Sequence, residues 1–176
     1  MSAPSHLALP TVFLHEASEA DWPELLEFET SNRVFFEKWV PARNPGYFAQ
    51  EPLKLIIQGL VADPDRFYLI RNQHQQLVGR INLRGLGKEP YNSAELGYRV
   101  GEQHLGKGYA KAAVLALAKQ AREDPVLTQL VAFAADNNPA SSTVLQTCGF
   151  KQDEAATKTV KLNNVPLTLL HFVLPL

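Results

Sequence analysis

Gln103-His104-Leu105-Gly106-Lys107-Gly108-Tyr109-Ala110 is the stretch on which the reading of this chain turns. Upstream, Ser93 to Val100 alternates cleanly. Ala94, Leu96, Tyr98 and Val100 fall on one side and Ser93, Glu95, Gly97 and Arg99 on the other, the period of a strand. Downstream, Tyr109 to Arg122 is rich in alanine and carries Val114, Leu115 and Leu117, a helix slim enough to lie close on a sheet. A strand that turns through glycines into a helix offers an anion site. The first amides of the helix have no intrahelical partner, and the helix dipole adds about half a positive charge there. Gly106 and Gly108 permit positive φ and keep a Cβ out of a ligand's path. Lys107 adds a full charge. The stretch reads as a pyrophosphate cradle; the plainer alternative is a glycine turn that only starts a helix.

Three cradle patterns compete. Gly101 to Lys107 fits the nucleotide P-loop, but Gly108 stands where a Ser or Thr would hold magnesium. A dinucleotide G-x-G-x-x-G beginning at Gly106 puts Lys111 where a small residue is needed for close helix–strand packing. The third, [QR]-x-x-G-x-[GA], is met by Gln103, Gly106 and Gly108.

The remainder of the chain bounds the class. Its 176 residues suit one domain with a real core, and 45% hydrophobic content is that of a globular protein. We therefore expect a single domain over residues 1–176, with residues 1–10 flexible. A net charge of -1 gives no electrostatic reason to expect nucleic acid or an anionic membrane. No apolar run approaches the roughly 20 residues of a membrane helix, and Met1 to Pro10 has no signal-peptide pattern. The lone Cys148 forms no internal disulfide and fits a reducing compartment, so the expected location is cytoplasmic. No Cys/His cluster has zinc-site spacing, so no metal is expected.

Taken in order, Val12 to Ala17 reads as a strand. Ser18 and Asp21 are N-cap candidates for a helix with Pro23 in its first turn, running to about Arg33. Phe35, Phe36, Trp39 and Val40, closed by Pro41, form an aromatic cluster that either lines an acceptor pocket or plugs the space beneath a loop. Asn44-Pro45-Gly46 is a turn, and Pro52 to Leu60 a second helix ending near Asp63-Pro64. Strands follow at Phe67 to Arg71 and Gln76 to Leu86, with Gly79 marking a bulge or a close backbone approach. Gly85 to Asn92 reads as a loop. Leu130 to Ala135 is almost wholly apolar, hence a strand buried on both faces. Asn138 caps a short helix with Pro139 at its first position, closed by Gly149. Lys151 to Val160 and Leu167 to Leu174, turning at Asn163-Asn164, close the chain as a hairpin. The expected fold is α/β: a mixed, mostly antiparallel sheet with helices on both sides.

Asn138-Pro139-Ala140-Ser141-Ser142-Thr143-Val144-Leu145-Gln146-Thr147-Cys148-Gly149-Phe150 carries the pattern N-x-x-S-x-x-[VL]-x-x-x-x-G-F. With the cradle and Glu95-Leu96-Gly97-Tyr98 before it, the chain resembles the GNAT superfamily of acetyl-CoA-dependent N-acetyltransferases, and most of all its Rim-type branch. The resemblance runs from Leu14 to Phe172. It implies acetyl-CoA as cosubstrate and an amine acceptor, a peptide N-terminus or a small molecule; the oligomeric state stays open, a homodimer included. It further implies that the strand end at Val100 pairs with the pantetheine amides and that the backbone amides of Leu105, Gly106, Lys107, Gly108, Tyr109 and Ala110 hold the pyrophosphate. Asn138 would bind the pantetheine arm and Ser141 would lie near the thioester sulfur.

Acetyl transfer needs a neutral amine, so a base must take its proton. Glu95, on the strand before the cradle, is the candidate; the alternative is a solvated carboxylate paired with Arg99. Relatives often place a tyrosine acid where this chain has Leu145. Ser141 then becomes the candidate donor to the sulfur, unless its hydroxyl only caps the helix. Thr157 to Lys161 holds no acid where the Rim-type branch often has a glutamate. Those two departures leave a second reading open, a non-catalytic acyl-CoA-binding module on the same fold. Cys148 reads as a core residue, so transfer is direct rather than through an acyl-enzyme. His104 is either exposed or turned toward the acceptor.

Overall fold

The computed structural model describes residues 8–40, 42, 45–48, 50–60, 65–89, 92–162 and 164–176. In chain order the elements are β1 (Val12–Glu16), α1 (Trp22–Ser31), α2 (Arg33–Phe36), α3 (Gln50–Leu60), β2 (Arg66–Asn72), β3 (Leu77–Lys88), β4 (Ser93–Val100), α4 (Tyr109–Arg122), β5 (Gln129–Ala135), α5 (Pro139–Thr147), β6 (Lys151–Leu162) and β7 (Val165–Pro175). The strands form one seven-stranded sheet in the order β1-β2-β3-β4-β5-β7-β6. Every neighbouring pair is antiparallel except β4 with β5.

Apolar side chains on the two sheet faces recruit the helices. On one face Ala113, Val114, Leu117 and Ala121 of α4 and Leu145 of α5 pack with Ile70, Ile81, Leu83, Leu96, Leu130 and Phe172. The alanines let α4 sit close, as their small size requires. On the other face Leu25 and Phe28 of α1, Phe36 of α2 and Ile57 of α3 close a second core over Phe67 and Leu69 of β2. The mixed sheet with helices on both sides is therefore as expected.

Local chemistry sets the boundaries. Ser18 donates through N and Oγ to Asp21 Oδ2 at 2.8 and 2.9 Å, which fixes a short 3-10 turn before α1. The first helix ends at Ser31, where Asn32 leaves helical geometry and donates through Nδ2 to Phe28 O at 2.8 Å. Asn32 Oδ1 then accepts the Glu102 amide at 2.8 Å, so the end of α1 is tied to the start of the glycine loop.

Two expectations fail. Gly85 to Asn92 is not a loop throughout: β3 runs on to Lys88, because Gly85 and Gly87 absorb the irregularity at φ 61° and 73°. Nor is β5 buried on both faces. Leu130, Ala132 and Ala134 are buried, whereas Val131 and Phe133 are only partly so, since their face of the sheet is not covered by a helix there. Gly79 answers to both of its readings. The β2–β3 register shifts beside it, and a Cβ there would lie 2.5 Å from Arg99 O. Pro41, Asn44, Asp63-Pro64 and Asn163 lie outside the described residues, so the turns read there do too. Among the described residues no helix is long and apolar enough to cross a membrane, and no cluster of His, Cys, Asp and Glu could hold a metal.

Candidate active site

The glycine loop leaves β4 at Gly101, makes one 3-10 turn over Glu102–His104 and reaches α4 through Gly106 and Gly108, at φ 71° and 83°. The Leu105 amide is used within the loop, donating to Glu102 O at 3.3 Å. From Gly106 to Lys111 the backbone N–H groups find no acceptor among the described residues. A run of unpaired amides at the start of a 14-residue helix is the donor set a pyrophosphate needs. A Cβ on Gly106 would meet nothing within 4 Å, so that glycine faces open space. A Cβ on Gly108 would lie 3.0 Å from Pro10 Cδ, so that glycine lets the chain ahead of β1 pack on the loop. Lys107 Nζ donates to Gln103 O at 2.9 Å and steadies the turn. His104 stacks edge-on against Tyr109 at 5.9 Å, and burial, then Lys107, pulls its pKa down.

The β4–β5 seam opens the second part of the site. The parallel ladder runs only from Ser93↔Gln129 to Leu96↔Ala132. Beyond it, Gly97 to Val100 stay paired with β3 while Phe133 to Ala135 stay paired with β7. Past Leu96 no strand among the described residues continues the ladder along the β5-facing edge of β4, so that edge can accept an extended amide chain as a further strand. Acetyl-CoA carries such a chain next to its diphosphate, and the residues present fit both.

A cavity of about 510 Å³ lies at this seam, lined among others by Arg80, Glu95, Tyr98, Arg99, Phe133 and Ser141. Residues of both faces of β4 reach it because the strand edge is open. Glu95 is exposed and stands opposite Arg84 in the ladder. Among the described residues it makes no ion pair, since Arg99 turns instead to Glu29. Val40 and Ala42 also line the cavity, whereas Phe36 is buried in the second core; the aromatic cluster is chiefly a plug that offers one edge to the site.

Ser141 does not cap α5 with its hydroxyl. The cap is Asn138 Oδ1, which accepts the Ser141 amide at 3.3 Å. Asn138 is therefore occupied in holding the helix start, while Ser141 Oγ is 3.0 Å from the Tyr98 hydroxyl. Burial pushes the Tyr98 pKa up to about 12, more than the Ser141 bond lowers it. Leu145 is fully buried and Cys148 lies in the core. Burial holds the Cys148 thiol up at about 11, which fits direct transfer.

Two further residues shape the site. Tyr98 falls with Ala94, Leu96 and Val100 on one side of its strand, and the alternation alone assigns its hydroxyl no partner. Glu29 lay within the first helix, yet it follows Leu25 and Phe28 on their buried stripe at helical spacing, and that was the available signal. Glu29 Oε1 accepts Arg80 Nε at 2.6 Å and Oε2 accepts Arg99 Nη1 at 3.0 Å. Arg80 and Arg99 face each other across the β3–β4 ladder, so one buried carboxylate holds both guanidiniums at the cavity floor.

A seven-stranded sheet split beside a free-amide helix start is the architecture of an acyl-CoA N-acyltransferase. A family model described as an acetyltransferase (GNAT) domain matches residues 11–151, and the chain belongs to that family. It is an N-acetyltransferase with acetyl-CoA as cosubstrate. A probable N-acetyltransferase of Bacillus subtilis, YjcK, is 27% identical over 160 residues, which cover 88% of each chain. Among solved structures, RimL, a ribosomal L7/L12 alpha-N-protein acetyltransferase in complex with coenzyme A, superimposes with a TM-score of 0.83 at 21% identity over 94% of each chain. A spermidine N-acetyltransferase from Vibrio cholerae in complex with CoA and spermine gives 0.78 at 16% identity, over 93% of this chain and 95% of that one.

Proposed function

We propose that this enzyme moves an acetyl group directly from acetyl-CoA to a primary amine, on a peptide N-terminus or a small molecule, with Glu95, Tyr98 and Ser141 carrying the chemistry. The observation behind it is that one cavity joins a carboxylate to a hydroxyl pair across an open strand edge. The unpaired amides from Gly106 to Lys111 hold the pyrophosphate, and the β4 edge ending at Val100 takes the pantetheine amides. Glu95, through a water, accepts the proton of the attacking amine. The amine nitrogen bonds to the acetyl carbon as the carbon–sulfur bond breaks, and the electron pair leaves with sulfur.

Magnitudes decide what the hydroxyls do. A thiol titrates near 8.5 and Tyr98 near 12, so full proton transfer to the sulfur is uphill by more than three units. Ser141 Oγ, backed by the Tyr98 hydroxyl, instead donates a hydrogen bond to the departing sulfur, which leaves as thiolate. The missing tyrosine at Leu145 and the lack of an acid from Thr157 to Lys161 are then no bar to turnover, which favours the enzyme over the non-catalytic module.

Thermal unfolding with acetyl-CoA, CoA and Mg-ATP, followed by an amine screen reading thiol release and N-acetyl product, tests this. Acetyl-CoA at a hundred times its Kd adds about 2.7 kcal/mol, a rise of roughly 5–10 °C at this size. No rise with either CoA ligand would remove the cradle assignment; a rise without product from any amine would leave the binding module. On the same reading the protein is cytoplasmic and its partners are acetyl-CoA and the amine. Sedimentation of the purified chain would tell monomer from homodimer.

A further inference from the structure

Arg80 is the group that the acetyl-transfer reading leaves unexplained. Its side chain is 5% exposed, yet it lines the cavity. Nε donates to Glu29 and the guanidinium lies over the Phe67 ring at 5.4 Å; among the described residues its two Nη atoms have no acceptor. Neither Nη is among the fully buried atoms that lack a partner, so the fork opens on the cavity's solvent, where an anionic acceptor would bond it more strongly than water does. The cavity supplies the place for one. Its described lining carries the guanidiniums of Arg80, Arg84 and Arg99 against the single carboxylate of Glu95, and Glu29 behind it offsets only part of that excess.

We infer that the acceptor carries an oxyanion, a carboxylate or a phosphate, and that Arg80 grips it through its Nη fork. The inference rests on the acetyl-transfer reading above and names the acceptor class for the same site. A guanidinium fork matches such a group bidentately, and an ammonium does not. The register sets the spacing. Arg80 stands opposite Arg99, four residues along β4 from Glu95. At about 3.3 Å per residue their backbones are some 13 Å apart along the strand, less the reach of the side chains. The anion therefore lies several bonds from the attacking amine, as in an acidic side chain near a peptide N-terminus or an ω-amino acid. A polycationic acceptor would meet the arginines unfavourably.

The test is a ladder of acceptors. Glycine, β-alanine, 4-aminobutyrate, 6-aminohexanoate and Gly-Gly-Glu are each compared with an uncharged amine of matched length. Phosphoethanolamine against ethanolamine forms the phosphate arm. The readout is kcat/KM in wild type and in Arg80→Lys, which keeps a cation against Glu29 but loses the fork. A charge-assisted bond corresponds to about tenfold or more, so the anionic acceptor is expected to win by that factor at one optimal length, in one arm or both. In Arg80→Lys the advantage falls to a few-fold while the acetyl-CoA Kd is unchanged. A wild-type enzyme that acetylates neutral amines as well as anionic ones at every length overturns the inference and leaves the enzyme reading intact. So does a variant that loses acetyl-CoA affinity but keeps the preference. Should no amine be acetylated, calorimetry with N-acetyl-6-aminohexanoate against its amide on the CoA complex still decides. Binding of the acid alone, lost in Arg80→Lys, upholds the anion site while the transfer reading fails; equal or absent binding of both overturns the site.

Discussion

Tyr98 and Ser141 stand 43 residues apart in the chain, yet their hydroxyls are 3.0 Å apart in the wall of one cavity. One comes from the strand before the glycine loop, the other from the start of the helix that follows the split partner strand. The pair bridges the opening seam where the departing sulfur would lie.

If Ser141 donates a hydrogen bond to sulfur and Tyr98 orders it, the two act as a unit. Tyr98→Phe should lower kcat by about tenfold, the worth of roughly one neutral hydrogen bond, with little change in the acetyl-CoA KM. Ser141→Ala should cost the same, and the double variant hardly more. The Tyr98 pKa is raised, so the hydroxyl stays protonated until pH approaches 12. The kcat profile should show no alkaline limb below about pH 11 that Tyr98→Phe removes. Losses that multiply in the double variant would separate the two residues.

Glu95→Gln keeps the shape of the side chain and removes its basicity. Turnover should fall by a factor of roughly 10²–10⁴ near neutral pH and recover partly as the amine itself deprotonates at higher pH. Full activity of this variant from pH 6 to 9 would strike Glu95 from the mechanism.

The two loop glycines should respond differently to alanine. Each sits at positive φ, where a Cβ costs about 1–2 kcal/mol. At Gly108 the new Cβ also meets Pro10 at 3.0 Å, so Gly108→Ala should lower Tm further than Gly106→Ala. At Gly106 the Cβ points into open space, where the pyrophosphate would be held, so Gly106→Ala should weaken acetyl-CoA more than its stability loss accounts for. Calorimetric unfolding and acetyl-CoA titration of both variants separate the effects.

Cys148 should be chemically silent. With its thiol near 11, about one molecule in a thousand is thiolate at pH 8. Iodoacetamide should label the native protein far more slowly than the urea-unfolded chain, with activity retained. Rapid native labelling with loss of activity would reopen an acyl-enzyme route.

Much of this architecture was legible in the sequence, for identifiable reasons. The alternation from Ser93 to Val100 and the glycines at 106 and 108 are local signals, and the structure places strand, loop and helix where they read. Asn138 with Pro139 was an equally local cap, and it holds. What escaped depended on long-range geometry. That Phe133 looks into a cavity and not a second helix layer follows from the end of the β4–β5 ladder, which no periodicity encodes. Tyr98 meets Ser141, and Glu29 meets Arg80 and Arg99, across separations that only the sheet order brings together. The extension of β3 to Lys88 was hidden because glycines that read as loop were serving as strand irregularities.

The short β4–β5 ladder has a consequence for how such a protein can change. Continuing the ladder past Leu96 would add backbone hydrogen bonds and lengthen a sheet already in place, an easy route to a hardier molecule. It would also seal the opening from which the cavity is built. At Gly97 and Phe133, selection for thermal robustness and selection for turnover pull in opposite directions, and variants enriched there by heat alone should be slow enzymes.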